Sequence, residues 1–210
     1  MTPSDVLRSH LDQCPLVAII RGVTPDEAEA IADAIFEGGI RIIEVPLNSP
    51  DPLRSIERIA ARCGDRTLVG AGTVLRSEQV AEVKSAGGRI IVSPDTNCDV
   101  ISAAARAGLV SCPGHFTPSE AFAAIRAGAH GLKLFPAEGA TPAVLKGQLA
   151  VIPKEVPVLA VGGISPDNMQ PWLDAGAAGF GLGSGLYKPG QSAAETLAKA
   201  RAYVAGVERQ

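Results

Sequence analysis

Aromatic residues are scarce in this chain, at 4% of its 210 positions, so its core has to be built mainly from Ala, Val, Ile and Leu. No run of Lys and Arg offers a face to nucleic acid, and the formal net charge is -3. No stretch approaches the ~20 apolar residues that a membrane-spanning helix needs. The opening MTPSDVLRSHLDQCP lacks the apolar stretch of a signal peptide. A cytoplasmic setting is therefore expected, with neither membrane nor nucleic acid as partner. The four cysteines, Cys14, Cys63, Cys98 and Cys112, form no CxxC pair and no zinc-type spacing. They read as reduced thiols, with Cys112 a small core residue rather than a nucleophile. No HExxH and no carboxylate–histidine cluster points to a metal, and no cofactor is expected.

What is present is a repeat. Eight short apolar runs recur: 16–22, 40–47, 67–74, 89–94, 109–114, 131–136, 156–164 and 178–184. Apolar runs without strict alternation suit strands buried on both faces of a parallel sheet. Helix signals lie between them. Thr24-Pro25-Asp26-Glu27 is a capping box with proline at the first helical position, and Gly38-Gly39 ends that segment. Thr117-Pro118-Ser119-Glu120 repeats the device and ends at Gly128, while Ser165-Pro166-Asp167-Asn168 opens a further helix ending near Gly176. Eight such cycles in one α/β chain predict a single (β/α)8 TIM-barrel domain over residues 1–210. An open doubly wound sheet is the alternative. It would place GxGxxG after the first strand, where the chain has Arg21-Gly22-Val23.

In a TIM barrel the C-terminal strand ends form the active site. Those ends hold Arg21, Glu44, Thr73, Pro94, Lys133, Gly162-Gly163 and Gly183-Ser184. Lys133 is the lone charge in GLKLFP. Desolvation there favours a neutral amine, which can attack a ketone to form an imine; the alternative is a strand-end lysine reaching solvent. Glu44 sits among β-branched residues, where burial raises a carboxyl towards the range of a general acid/base, unless it serves only as a structural ion pair. Gly162, Gly163, Gly183 and Ser184 end the seventh and eighth runs. There backbone N–H groups and a helix N-terminus commonly hold a phosphate, though the glycines also suit plain tight turns. Arg21 offers a bidentate clamp for a carboxylate and Thr73 a hydroxyl donor. His115 either touches substrate or sits on an exposed loop.

Together these stretches resemble the KDPG/KHG aldolase family, class I lyases of 2-keto-3-deoxy-6-phosphate sugar acids. EVPL, GAGTVL (70–75), IVSP, CPG, KLFPAE, GGISP (162–166) and GLGS carry the resemblance from Pro15 to about Gly190. It implies a homotrimer of TIM barrels, a Schiff-base lysine at Lys133 and a general acid/base at Glu44. It also implies carboxylate contacts through Thr73 and phosphate contacts around Gly162, Gly163 and Ser184. The implied partners are a phosphorylated keto-deoxy sugar acid and pyruvate. Many gluconate-type members carry LRT where this chain has Leu47-Asn48-Ser49, so Arg21 is expected to supply the missing charge. IIRGVTPDEA with EVPLNSP looks like the 6-phosphogalactonate branch. Val161 stands where gluconate-type members often have Thr, a difference that bears on the C4 hydroxyl. The alternatives are the gluconate epimer or use of both, a phosphosugar isomerase or epimerase, and a non-catalytic phosphosugar-binding protein.

Overall fold

The computed structural model describes residues 1–207. Its nine strands are β1 (Leu16–Ile19), β2 (Ile42–Pro46), β3 (Leu68–Gly72), β4 (Ile90–Val92), β5 (Val110–Cys112), β6 (Gly114–His115), β7 (Leu132–Leu134), β8 (Val158–Val161) and β9 (Gly179–Leu182). Every pairing is parallel, in the order β5-β4-β3-β2-β1-β9-β8-β7-β6. β5 and β6 are two halves of one strand, interrupted at Pro113, which has no N–H to give to a ladder. Backbone bonds from Gly131 N–H to Ser111 O (3.2 Å) and from Lys133 N–H to Pro113 O (2.9 Å) carry the ladder across the break. The eight expected runs thus close into an eightfold barrel.

Among the described residues nine α-helices pack against it: α1 (Pro3–Gln13), α2 (Pro25–Glu37), α3 (Pro52–Cys63), α4 (Glu78–Ser85), α5 (Cys98–Arg106), α6 (Pro118–Ala127), α7 (Pro142–Leu149), α8 (Met169–Asp174) and α9 (Ala193–Val207). The capping boxes at Thr24 and Thr117 form as the sequence predicts. Ser165-Pro166-Asp167-Asn168 does not open a helix at its first residue. It forms a turn in which Ser165 N–H donates to Asn168 Oδ1 (2.9 Å), and α8 starts after Asn168.

Alternation along each strand sorts the core into two layers. Outward residues such as Leu16, Ala18, Ile43, Val45, Leu132, Leu134 and Phe180 pack against the helices. Inward residues such as Val17, Ile42, Leu68, Ile90, Val110 and Leu159 fill the barrel. Leu7 and Leu11 of α1 join this inner cluster, so the first helix adds to the barrel's inner filling. The inner residues nearer the C-terminal strand ends include Glu44, Cys112, Lys133 and Val161, and there the inner wall turns from hydrocarbon to chemistry.

Candidate active site

Period-two alternation, not sequence proximity, brings the chemistry together. In β7, Leu132 and Leu134 are fully buried against the helices, so Lys133 between them points into the barrel. In β2 the same rule turns Glu44 inward between Ile43 and Val45. Both side chains line one interior space, walled by Val17, Ile90, Val92 and Leu159. Lys133 is 8% exposed and Glu44 2%.

These apolar walls set the protonation states. Burial lowers the Lys133 amine pKa; the Glu44 carboxylate opposes that shift without cancelling it. Burial pushes Glu44 up to about 7, against the opposing charges of Lys133 and Arg21. Glu44 Oε2 is buried with no hydrogen-bond partner among the described residues. Ion pairs within 4 Å among those residues lie outside the barrel, and none joins Lys133 to Glu44. Among the described residues Glu44 thus makes no direct ion pair within 4 Å, although Lys133 and Arg21 attract it at longer range, and Lys133 is buried rather than reaching solvent. The Lys133 ammonium position is 4.6 Å from the centre of the Phe135 ring. Cys112 shares the space at 1% exposure, with its thiol pushed up to about 12 by burial, which makes it an inert wall.

Gly72 and Thr73 shape the wall beside Glu44. A Cβ at Gly72 would collide with the Glu44 carboxylate, so any side chain there would displace it. Thr73 follows in the left-handed region at φ 55°, a conformation that costs a β-branched residue on the order of 1–3 kcal/mol. Arg21 lies beyond the end of β1, in the turn after Ile19, rather than at the strand's last residue. Its Nη1 donates to Asn48 Oδ1 and its Nη2 to Thr73 Oγ1 (3.5 Å). The proposed carboxylate donors thus converge, and Asn48, noted in the sequence only for the arginine it is not, holds Arg21 in place.

Above the pair opens a cavity of about 620 Å³. Arg21, Thr73, Pro94, Lys133, Val161, Gly162, Gly163, Gly183 and Ser184 line it. The site residues expected from the strand ends, apart from the deeper Glu44, meet in this one space. Lys188, which inspection of strand ends passed over, adds a cation to the rim. Its signal was there to find, three residues beyond GLGSG in the sequence. Gly162 and Gly163 have φ 111° and 66°. The Glu138 side chain packs on both, with its Cγ 2.5 Å from where a Cβ of Gly163 would sit. Neither turn is the start of a long helix. α8 begins at Met169 with six residues, and the next helix after Ser184 begins at Ala193. Turn backbone, not a helix N-terminus, is what this end offers an anion.

His115 is neither on an exposed loop nor in the mouth. It is 3% exposed, and its Nε2 lies 3.0 Å from Gln148 Oε1. Gln148 donates its amide to Phe116 O (2.9 Å), so its oxygen accepts and His115 Nε2 donates. Burial lowers the imidazole pKa, keeping this link between β6 and α7 neutral.

A parallel barrel with a desolvated lysine and a desolvated carboxyl beneath a polar mouth is the architecture of a class I aldolase, a carbon–carbon lyase. The chain belongs to the KDPG and KHG aldolase family, whose model matches residues 7–202. The 2-dehydro-3-deoxy-6-phosphogalactonate aldolase of Escherichia coli (strain K12) is 47% identical over 190 residues, covering 90% of this chain and 93% of its own. A solved structure described as native KDPGal superposes with a TM-score of 0.91 at 46% identity, over 93% of this chain and 95% of that one. The KDPG aldolase of Legionella pneumophila, solved with pyruvate captured as a covalent carbinolamine, has a TM-score of 0.82 at 28% identity, over 97% of each chain.

Proposed function

We propose that the enzyme cleaves 2-dehydro-3-deoxy-6-phosphogalactonate to pyruvate and glyceraldehyde 3-phosphate. The observation that carries this reading is the facing pair: an amine with a lowered pKa and a carboxyl near neutrality in one dry space. Each shift has burial as its largest cause, and each suits its chemistry.

Neutral Lys133 attacks the C2 ketone, protonated Glu44 gives its proton to the departing hydroxyl, and loss of water leaves an imine protonated on nitrogen. The Glu44 carboxylate removes the C4 hydroxyl proton. The C3–C4 bond breaks, its electrons pass into the imine, and glyceraldehyde 3-phosphate leaves behind an enamine. Glu44, now protonated, returns its proton to C3. Water then hydrolyses the imine and releases pyruvate. A carboxyl near 7 can serve in both directions because each protonation state is populated at neutral pH. Arg21 and Thr73 hold the C1 carboxylate. The turns at Gly162-Gly163 and Gly183-Ser184 hold the phosphate, with Pro94 shaping the wall between.

The choice of epimer rests on the identity to the Escherichia coli enzyme and on Val161, an apolar side chain lining the cavity. The enzyme works as a cytoplasmic homotrimer, which light scattering of the purified protein would test. The substrate is tested by assaying the two C4 epimers separately. Faster turnover of the galactonate epimer at limiting concentration supports the proposal, and preference for the gluconate epimer overturns it.

A further inference from the structure

A turn attracts an anion only if its N–H groups, rather than its carbonyl oxygens, face the ligand. In the segment after β8 the carbonyl oxygens are occupied, two of them by side chains: Asn168 of the same turn and Tyr203 from α9. Asn168 Nδ2 donates to Gly163 O at 2.7 Å. The Tyr203 hydroxyl donates to Ile164 O at 3.0 Å. The backbone N–H of Asn168 donates to Ser165 O at 3.1 Å. Three consecutive carbonyls are therefore engaged. The turn is fixed a second time, because Asn168 Oδ1 accepts from Ser165 N–H at 2.9 Å.

Tyr203 also reaches the second turn. It projects from α9, is 4% exposed, and packs with the outer helical layer. Its hydroxyl lies against Gly185, where a Cβ would collide with it. One phenol thus touches the turns after both β8 and β9. Helix α9 can come this close because of Gly206, where a Cβ would stand 3.2 Å from Pro166 O and 2.5 Å from Met169 Cε.

We propose that Tyr203 and Asn168 are positioning residues for the phosphate end of the substrate. By holding the Gly163, Ile164 and Ser165 carbonyls, they leave the N–H groups ahead of Ser165, whose own N–H is taken by Asn168 Oδ1, to the dianion and fix the turn's distance from the turn at Gly183–Gly185. The inference rests on the phosphate reading of the Gly162-Gly163 turn. Neither residue touches the reacting atoms.

The test runs the reaction in the synthetic direction with pyruvate and either D-glyceraldehyde 3-phosphate or D-glyceraldehyde, using inorganic phosphate as an inhibitor. Tyr203→Phe removes one hydroxyl, and Asn168→Ala acts at an exposed side chain, so both variants should fold; thermal melts check this. Each should raise the KM for glyceraldehyde 3-phosphate and the inhibition constant for phosphate about five- to tenfold, the scale of one lost hydrogen bond. The KM for pyruvate should stay within about twofold. A purely structural role would instead move both aldehydes and pyruvate together, and that result, or an unchanged phosphate dependence, overturns the inference. Ser184→Ala separates phosphate binding from the positioning of the turn. If it weakens phosphate use while Tyr203→Phe and Asn168→Ala do not, the positioning roles fall alone. If the parent enzyme shows no preference for the phosphorylated aldehyde, the phosphate reading falls with them.

Discussion

The two ends of the mouth solve opposite problems. At the Lys133–Glu44 end the working groups are side chains sunk in hydrocarbon, and their value lies in pKa values that water would not allow. At the Gly162-Gly163 and Gly183-Ser184 end the working groups are backbone, open to the cavity, and their value lies in direction. Under the proposed function, covalent chemistry needs a changed protonation state, and desolvation supplies one at Lys133 and Glu44. Under that same proposal, anion recognition falls to turns whose carbonyls are held by side chains, because it needs fixed dipoles rather than a changed protonation state. Arg21 and Thr73 stand between, an exposed cation tied to a backbone-strained hydroxyl.

Glu44→Gln should break the contrast most deeply. It keeps the shape and removes the proton shuttle, so cleavage should slow by ~10²-fold or more while imine formation continues. The acid limb of the rate profile, which falls as pH drops through about 7 because the carboxylate is protonated, should vanish with it. The same substitution should stabilise the fold. A carboxyl whose folded pKa is raised favours the folded state fully only at pH below its unfolded value of 4.5, and that contribution is lost as pH rises through about 7. Glu44→Gln should therefore gain on the order of 1–3 kcal/mol above pH 7 and little below pH 4, as read from denaturant melts at both. Near-normal turnover would make Glu44 structural.

Arg21→Lys sharpens the middle ground. It keeps a charge but loses the fork that reaches Asn48 and Thr73 together. The KM for pyruvate should rise about tenfold with melting unchanged, the scale of a lost charge-assisted hydrogen bond. An unchanged dependence on pyruvate would remove Arg21 from the carboxylate site.

Val161→Thr should have the smallest effect. Val161 is 5% exposed, and its Cγ2 fills a notch 2.7 Å from where a Cβ of Gly181 would be. The ratio of kcat/KM values for the two epimers should shift a few-fold, roughly, towards the gluconate substrate. An unpartnered hydroxyl would cost about 1–3 kcal/mol of stability. A ratio that stays put would move the choice of epimer to Asn48 or Ser49.

Much of this was legible in the sequence, for physical reasons. Each strand announces itself because both faces of a parallel barrel are buried, so its run is apolar throughout. The runs overshoot the strands because the turns are also buried: Ile20 and Val23 are fully buried, yet lie past Ile19. Lys133 and Glu44 stand out because a charge in such a run has to be explained. Less visible was anything defined by a distant partner. Asn48 holding Arg21, and Tyr203 and Asn168 holding the turn after β8, are surface-type residues in sequence, and only the fold brings them together. His115 misled because glycine and proline nearby suggested a loop, while α7 supplies Gln148 to satisfy it inside.

The central claim is that burial makes Lys133 the nucleophile. Incubation with pyruvate and borohydride, followed by peptide mass analysis, tests it directly. A reduced pyruvyl adduct is expected on the peptide containing Lys133, and on no other. Labelling at a different lysine, or no labelling by an enzyme that still turns over, would contradict it.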